Sequence, residues 1–225
     1  MENQVEQKTG NDKASKGRKL SKAEQKRKEL FEKVSSDYTD KGYRIENLTT
    51  SAIKANVFGT LTGFIVAQPF IAAYYLSKTW DGYEPSAAGF MLIFPVFLAS
   101  IIVHELLHGT GWALFTKNKF KSIAFGVVWQ ALTPYCTCKE PLRKGQYIVG
   151  LILPCLILGF IPSVIACFTG NGLLLGFGAL MIVCAGGDLM VLFMILKAKL
   201  KGDVLFLDHP TDIGLVAFVK DQGED

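Results

Sequence analysis

The apolar positions of the chain fall into a few long blocks. Ala55 to Ser77 spans 23 residues without a charge, Pro85 to Val103 spans 19, and Gly145 to Gly187 spans 43. After Asp188 the apolar run resumes as far as Leu196. A bilayer core of roughly 30 Å takes about 20 apolar residues of helix. The first two blocks each suit one span. The third is too long for one and suits two, and Gly170-Asn171-Gly172 near its middle reads as a turn. The pattern predicts four spans, at 55–77, 88–116, 146–169 and 173–197.

Between the second and third spans the pattern changes. Phe120 to Cys138 is rich in Phe, Val, Trp, Thr and Tyr, with Gly126 inside and Pro134 near its end. This predicts two short strands, 122–129 and 131–137, paired as a hairpin at the bilayer face. Strand edges open to lipid would leave polar backbone unpaired, so the hairpin should be covered by protein or line a wet cavity. Ahead of the first span, Ser21-Lys22-Ala23-Glu24 has the form of a capping box. Leu20, Ala23, Leu30, Phe31 and Val34 follow at helical spacing and predict an amphipathic helix over 22–35. Its basic face lies either on anionic lipid headgroups or in solvent, and both readings stay open. Residues 1–19 are polar and predict disorder.

The expected fold is therefore mainly α and integral to a membrane. It is a four-transmembrane-helix bundle with a membrane-associated β-hairpin between helices 2 and 3. Residues 1–46 would form a basic cytoplasmic tail with the short helix, 47–200 the transmembrane domain, and 201–225 a cytoplasmic C-terminal tail.

Charge sharpens this picture. The net +4 of the 225 residues sits in residues 1–54, which hold 13 Lys/Arg against 9 Asp/Glu. Beyond them each sign occurs 11 times. With half the residues hydrophobic and a mean hydropathy of +0.29, the chain does not read as a soluble enzyme, a disordered regulator or a nucleic-acid-binding domain. No signal-peptide pattern precedes the first span. Lys/Arg asymmetry gives orientation. Residues 1–54, the 117–145 loop and the stretch after Leu196 hold 23 basic residues, and the intervening loops hold one, Lys78. Both termini are expected in the cytoplasm, and the protein as multi-pass in the cell (inner) membrane. The five cysteines suggest no disulfide framework, and Cys136-x-Cys138 has the wrong spacing for a zinc knuckle.

The candidate chemistry is concentrated in His104-Glu105-Leu106-Leu107-His108. Histidines at i and i+4 share one helix face and can reach one metal ion. The Glu between them is turned by about 100° and can address water rather than fill the metal's coordination shell. This is the H-E-x-x-H pattern of zinc peptidases, in which the metal activates water and the Glu carries its proton. An acid beside two histidines within a span is costly and normally functional.

A catalytic zinc site needs a third protein ligand and an open position. Asp188, in Gly186-Gly187-Asp188, is the only charged residue between Lys144 and Lys197. It lies nine residues from Lys197, as His108 lies nine from Lys117, so both fall roughly 13 Å from the inner surface. His209 in Asp208-His209-Pro210 is the rival ligand, and Glu140 and Asp203 are weaker ones.

Pro69, Pro95, Pro154 and Pro162 fall within predicted spans, where prolines kink helices and free carbonyls; packing kinks are the reading taken here. Trp112 and Tyr147 suit an aromatic belt, although Trp112, four residues after His108, alternatively walls the site. Gly109 and Gly111 would let a substrate backbone approach, or helices pack closely.

These residues resemble the putative zincin peptidase family of small bacterial integral membrane proteins. More distantly the chain is similar to the site-2 intramembrane zinc proteases. The resemblance is carried by Gly42-Tyr43, Ala55-Asn56, His104 to His108, Pro134-Tyr135-Cys136, Cys138-Lys139-Glu140-Pro141, Gly187-Asp188 and Asp208-His209-Pro210, and it covers roughly residues 40–215. It implies Zn2+ held by His104, His108 and Asp188, with Glu105 as general base. It also implies a hairpin that receives a membrane protein or peptide substrate as an added strand. The Asn-Pro-x-Asp-Gly usual around the third ligand of site-2 proteases is replaced by Gly-Gly-Asp-Leu, and no PDZ-like domain is present. A non-catalytic metal-binding scaffold in the membrane is the alternative. A transporter is a third reading, weakened by the absence of an internal repeat.

Overall fold

The structure is a computed structural model that describes residues 21–81, 86–128 and 133–221. The disorder expected for residues 1–19 lies outside the described residues. The chain enters through helix α1 (Lys22–Asp40). Its capping box is formed: the Ser21 hydroxyl accepts from the Glu24 amide at 3.2 Å, and the Glu24 carboxylate accepts from the Ser21 amide at 2.8 Å. The helix thus satisfies two amides that a bare N-terminus leaves open. It runs five residues past the expected end. Phe31, Val34 and Tyr38 pack on a β-sheet and hold its last turns.

That sheet is the main departure from the expected organisation. β1 (Arg44–Thr50), β4 (Leu142–Arg143), β5 (Asp203–Asp208) and β6 (Ile213–Lys220) form four antiparallel strands in the order β1-β6-β5-β4. Residues 203–220 are therefore not a tail. β6 carries Leu215, Val216, Ala217 and Phe218, all fully buried. An apolar run of that kind is stable only as an interior strand covered on both faces. Leu207, Val216 and Phe218 face α1, whereas Phe206, Leu215, Ala217 and Val219 face the helices of the apolar body. The sheet is the middle layer between α1 and that body.

The apolar body starts with α2 (Ala52–Ser77) and α3 (Ala87–Ala113), capped by Ser51 and Ser86 respectively. The hairpin follows: β2 (Ile123–Val128) pairs with β3 (Thr133–Cys138), within a residue or two of the expected strands. Next, α4 (Lys144–Pro154) passes through a π-helical turn, Cys155–Phe160, into α5 (Ile161–Thr169). Among the described residues, three helical stretches, Ala52–Ser77, Ala87–Ala113 and Lys144–Thr169, are long and apolar enough to cross a membrane.

The fourth expected span is not one helix. It consists of α6 (Gly172–Cys184) and α7 (Gly186–Lys197), bent by 49°, and the count is four only if this pair makes one span. The break sits where α2 crosses. A Cβ on Gly59 would lie 3.1 Å from the Gly186 carbonyl carbon, so the two backbones touch. The turn at Ala185 starts a new helix there, with Asp188 in its first turn.

Candidate metal centre

α3 and α4 cross where both have glycine. A Cβ on Gly111 would lie 2.6 Å from the Gly150 Cα, so no larger side chain fits. This approach puts His108 of α3 against α4's backbone. The Nδ1 of His108 donates to the Gly150 carbonyl at 2.9 Å, which leaves its Nε2 as the free ligand atom. A second partner on the far ring nitrogen is the usual support of a metal-bound histidine. Trp112 stacks on the His108 ring at 5.3 Å and 14°, and its Nε1 donates to the Tyr147 carbonyl at 2.9 Å. Trp112 is 3% exposed, so it walls the site and does not belong to an aromatic belt.

The structure brings His104, His108 and Asp188 together. The Nε2 atoms of His104 and His108 are 3.1 Å apart. Asp188 Oδ2 lies 3.1 Å from His104 Nε2, and Oδ1 lies 3.4 Å from His108 Nε2. Bonds of about 2.0–2.1 Å in a tetrahedral zinc site give ligand-to-ligand separations of roughly 3.3 Å. The separation of the two histidine nitrogens is close to that edge, and each nitrogen has one oxygen of Asp188 at a similar distance. Among the described residues this is the one group of three or more such side chains with converging ligand atoms. The side chains of His104, His108 and Asp188 are 12%, 6% and 23% exposed, enclosed but not sealed. Asp188 also stands at the N-terminal end of α7, where the helix dipole favours a carboxylate. A His2Asp donor set with imidazole nitrogens and one hard oxygen suits zinc.

Glu105 does not join the cluster of ligand atoms. Its carboxylate lies close to the backbone amide of Cys136 in β3. The hairpin register explains why that amide is available. Lys139 donates to the Ser122 carbonyl, which makes Ser122–Lys139 a hydrogen-bonded pair. In an antiparallel ladder the alternate positions, Cys136 and Cys138, then direct their amides away from β2. That of Cys136 faces Glu105, and that of Cys138 donates to Asp208 Oδ2 at 3.1 Å. Pro134, next in the series, has no amide to offer.

The remaining candidates lie elsewhere. His209 caps the turn after β5: its Nδ1 accepts from the Asp212 amide at 2.8 Å, and its ring packs on Phe31. Asp203 accepts from the Tyr43 hydroxyl. Glu140 fastens the base of the hairpin, accepting from the Lys117 amide at 2.9 Å and from the Ser122 hydroxyl. Burial pushes the Cys138 thiol up to about 12, and neither it nor Cys136 is in the converging group.

Two features escape sequence reasoning. The Gly150 carbonyl that holds His108 is a backbone atom, with no residue type to signal it. Asp208 is the other. It accepts from the Tyr147 hydroxyl at 2.5 Å as well as from the Cys138 amide, and so ties the hairpin edge to α4. The signal for it is the Asp-His-Pro segment beyond the last span, in which the sequence reading singles out His209 and gives Asp208 no role.

No curated protein and no solved structure matches the chain. A family match does exist, over residues 97–201, and its description is that of a zinc-type peptidase. That stretch holds both histidines, Glu105, Gly150 and Asp188, the side chains and the carbonyl from which the centre is built. Through this segment, residues 97–201, the chain is similar to the putative zincin peptidase family.

Proposed function

We propose that the chain is a membrane-embedded zinc metallopeptidase. It hydrolyses a peptide bond of a membrane protein or peptide in or near the cytoplasmic half of the bilayer. The observation that carries this reading is the convergence of His104, His108 and Asp188 with Glu105 one residue away on α3. His104 Nε2, His108 Nε2 and one Asp188 oxygen hold the metal. When bound, zinc supplies Lewis-acid polarisation of the scissile carbonyl and an acidified water. Glu105 takes the proton of the attacking water and delivers it to the leaving amine nitrogen. The Cys136 amide lies beside that carboxylate.

The surroundings support the placement. Large apolar side chains point outward from α2 and α3, as a lipid-facing surface requires. Basic residues cluster on the α1 side and at the 117–145 connection, which supports cytoplasmic termini in an inner membrane. The hairpin is positioned to take an extended substrate. Of the outward amides of β3, that of Cys138 is committed to Asp208 and that of Cys136 faces Glu105, whereas β2 pairs only with β3 among the described residues. β2 therefore offers the edge on which a locally unwound segment adds as a strand.

The test is Glu105→Gln in purified protein with transmembrane peptide substrates. The variant should keep its zinc and lose cleavage by at least about 10²-fold. Full cleavage by the variant would sink the mechanism. Zinc in the wild type without cleavage of any peptide across a broad panel would favour a non-catalytic metal-binding scaffold.

A further inference from the structure

The Gly150 carbonyl is free to serve His108 for a reason found four residues along. In an α-helix the carbonyl of residue 150 is bonded by the amide of residue 154. Residue 154 is proline, which has no N–H, and its ring also crowds the carbonyl four residues back. The next amide, of Cys155, goes to the Ile152 carbonyl instead. From there the helix runs in the wider π form, with the Ile161 amide reaching Leu156. The 150 carbonyl thus lacks its helical donor and is directed off the axis. The contact of Gly111 with Gly150 then brings the His108 ring within 2.9 Å of it. A freed carbonyl in an apolar helix needs a partner, and here the partner is a ligand histidine.

We propose that Pro154 is a positioning residue for the metal. By withholding an amide it reserves the Gly150 carbonyl for Nδ1–H of His108, which fixes the ring with Nε2 turned toward Asp188 and His104. The proline read from sequence as a packing kink is, on this view, part of the ligand support. The inference rests on the zinc reading above. It concerns metal affinity, so it is measured without reference to proteolysis.

The experiment compares Zn2+ affinity, by chelator competition, across four full-length purified chains. They are the wild type, Pro154→Ala, a chain with lactic acid at position 154, and Pro162→Ala. Lactic acid replaces the 153–154 peptide bond with an ester, so it removes the proline ring but still supplies no N–H. Pro154→Ala should bind zinc roughly 10–100-fold more weakly, the range for losing such support. The ester chain and Pro162→Ala should stay within about twofold of the wild type, well inside that range. Unchanged affinity in Pro154→Ala overturns the proposal. An ester chain as weak as Pro154→Ala also overturns it, because the ring and not the missing donor would then matter. Should Pro154→Ala fail to fold, the ester chain decides alone on the same criterion. A wild type that binds no zinc overturns this proposal together with the proposed function, whereas zinc binding with equal affinity in all four chains overturns this proposal only.

Discussion

The sheet layer and the apolar helical body bury opposite kinds of residue. In the sheet the largest apolar side chains are the most hidden: Phe218 and Leu215 are 0% exposed, and Phe206 is 2%. In the helices the order inverts. Leu76 is 81% exposed, Phe168 80% and Met91 78%, while Ser163, Ser100 and His108 are buried. Water drives apolar surface inward, and this organises the sheet against α1. In the membrane placement proposed above, lipid would give no such drive, and helices would associate through small residues and buried hydrogen bonds. The close crossings at Gly59–Gly186 and Gly111–Gly150 are of that second kind. Each also borders the candidate metal centre, one at the start of the helix that carries Asp188 and the other beside His108. The two layers meet at Trp112, Tyr147 and Phe206, directly beside the ligands.

Substitutions at matched positions test whether the two layers answer to different solvents. Phe218→Ala removes a fully buried ring from the interior strand and should cost about 3–5 kcal/mol in chemical denaturation of the purified protein. Phe94, 65% exposed on α3, should behave otherwise. Phe94→Lys should lower membrane insertion by about 2.5–3.5 kcal/mol in an insertion assay, although Lys would be welcome on a water-facing surface. If Phe94→Lys inserts and folds as the wild type does, the helical body is not lipid-facing at that position.

A smaller effect is expected at the helix crossing. Gly59→Val pushes a side chain into the Gly186 backbone and should cost about 1–3 kcal/mol in thermal unfolding in detergent. It should also weaken zinc binding, because Asp188 is two residues on from Gly186. The smallest effect concerns the hairpin base. Burial works against the charge on Glu140, but the Ser122 hydroxyl and the Lys117 and Asn118 groups hold its carboxyl below the usual range. A folded value below the unfolded one means the tether contributes at pH above about 4.3 and is lost as pH falls through the folded value. Protection of the Lys117 amide in hydrogen exchange, corrected for intrinsic rate, should drop over that window. Glu140→Gln should abolish the pH dependence.

The parts of the molecule that were legible in sequence are those set by local spacing. Four residues of helix place His104 over His108 whatever surrounds them. A lone acid in a long apolar stretch singles out Asp188. The sheet was not legible because its pairs are distant: Arg44 sits opposite Val219, and Leu142 opposite Phe206. The apolar run of β6 was visible, but its partners were not, and it read as a tail. The break at Ala185 was hidden for a similar reason. No proline marks it, and its place depends on where the α2 backbone touches Gly186.

The central claim is that His104, His108 and Asp188 hold one zinc. X-ray absorption at the zinc edge of the purified protein tests it most directly. The expected result is about one zinc per chain, coordinated by two imidazole nitrogens and a carboxylate oxygen at about 2.0–2.2 Å, with the oxygen contribution and most of the metal lost in Asp188→Ala. A thiolate shell near 2.3 Å, a third imidazole, which only His209 can supply, or full zinc occupancy in Asp188→Ala would contradict it.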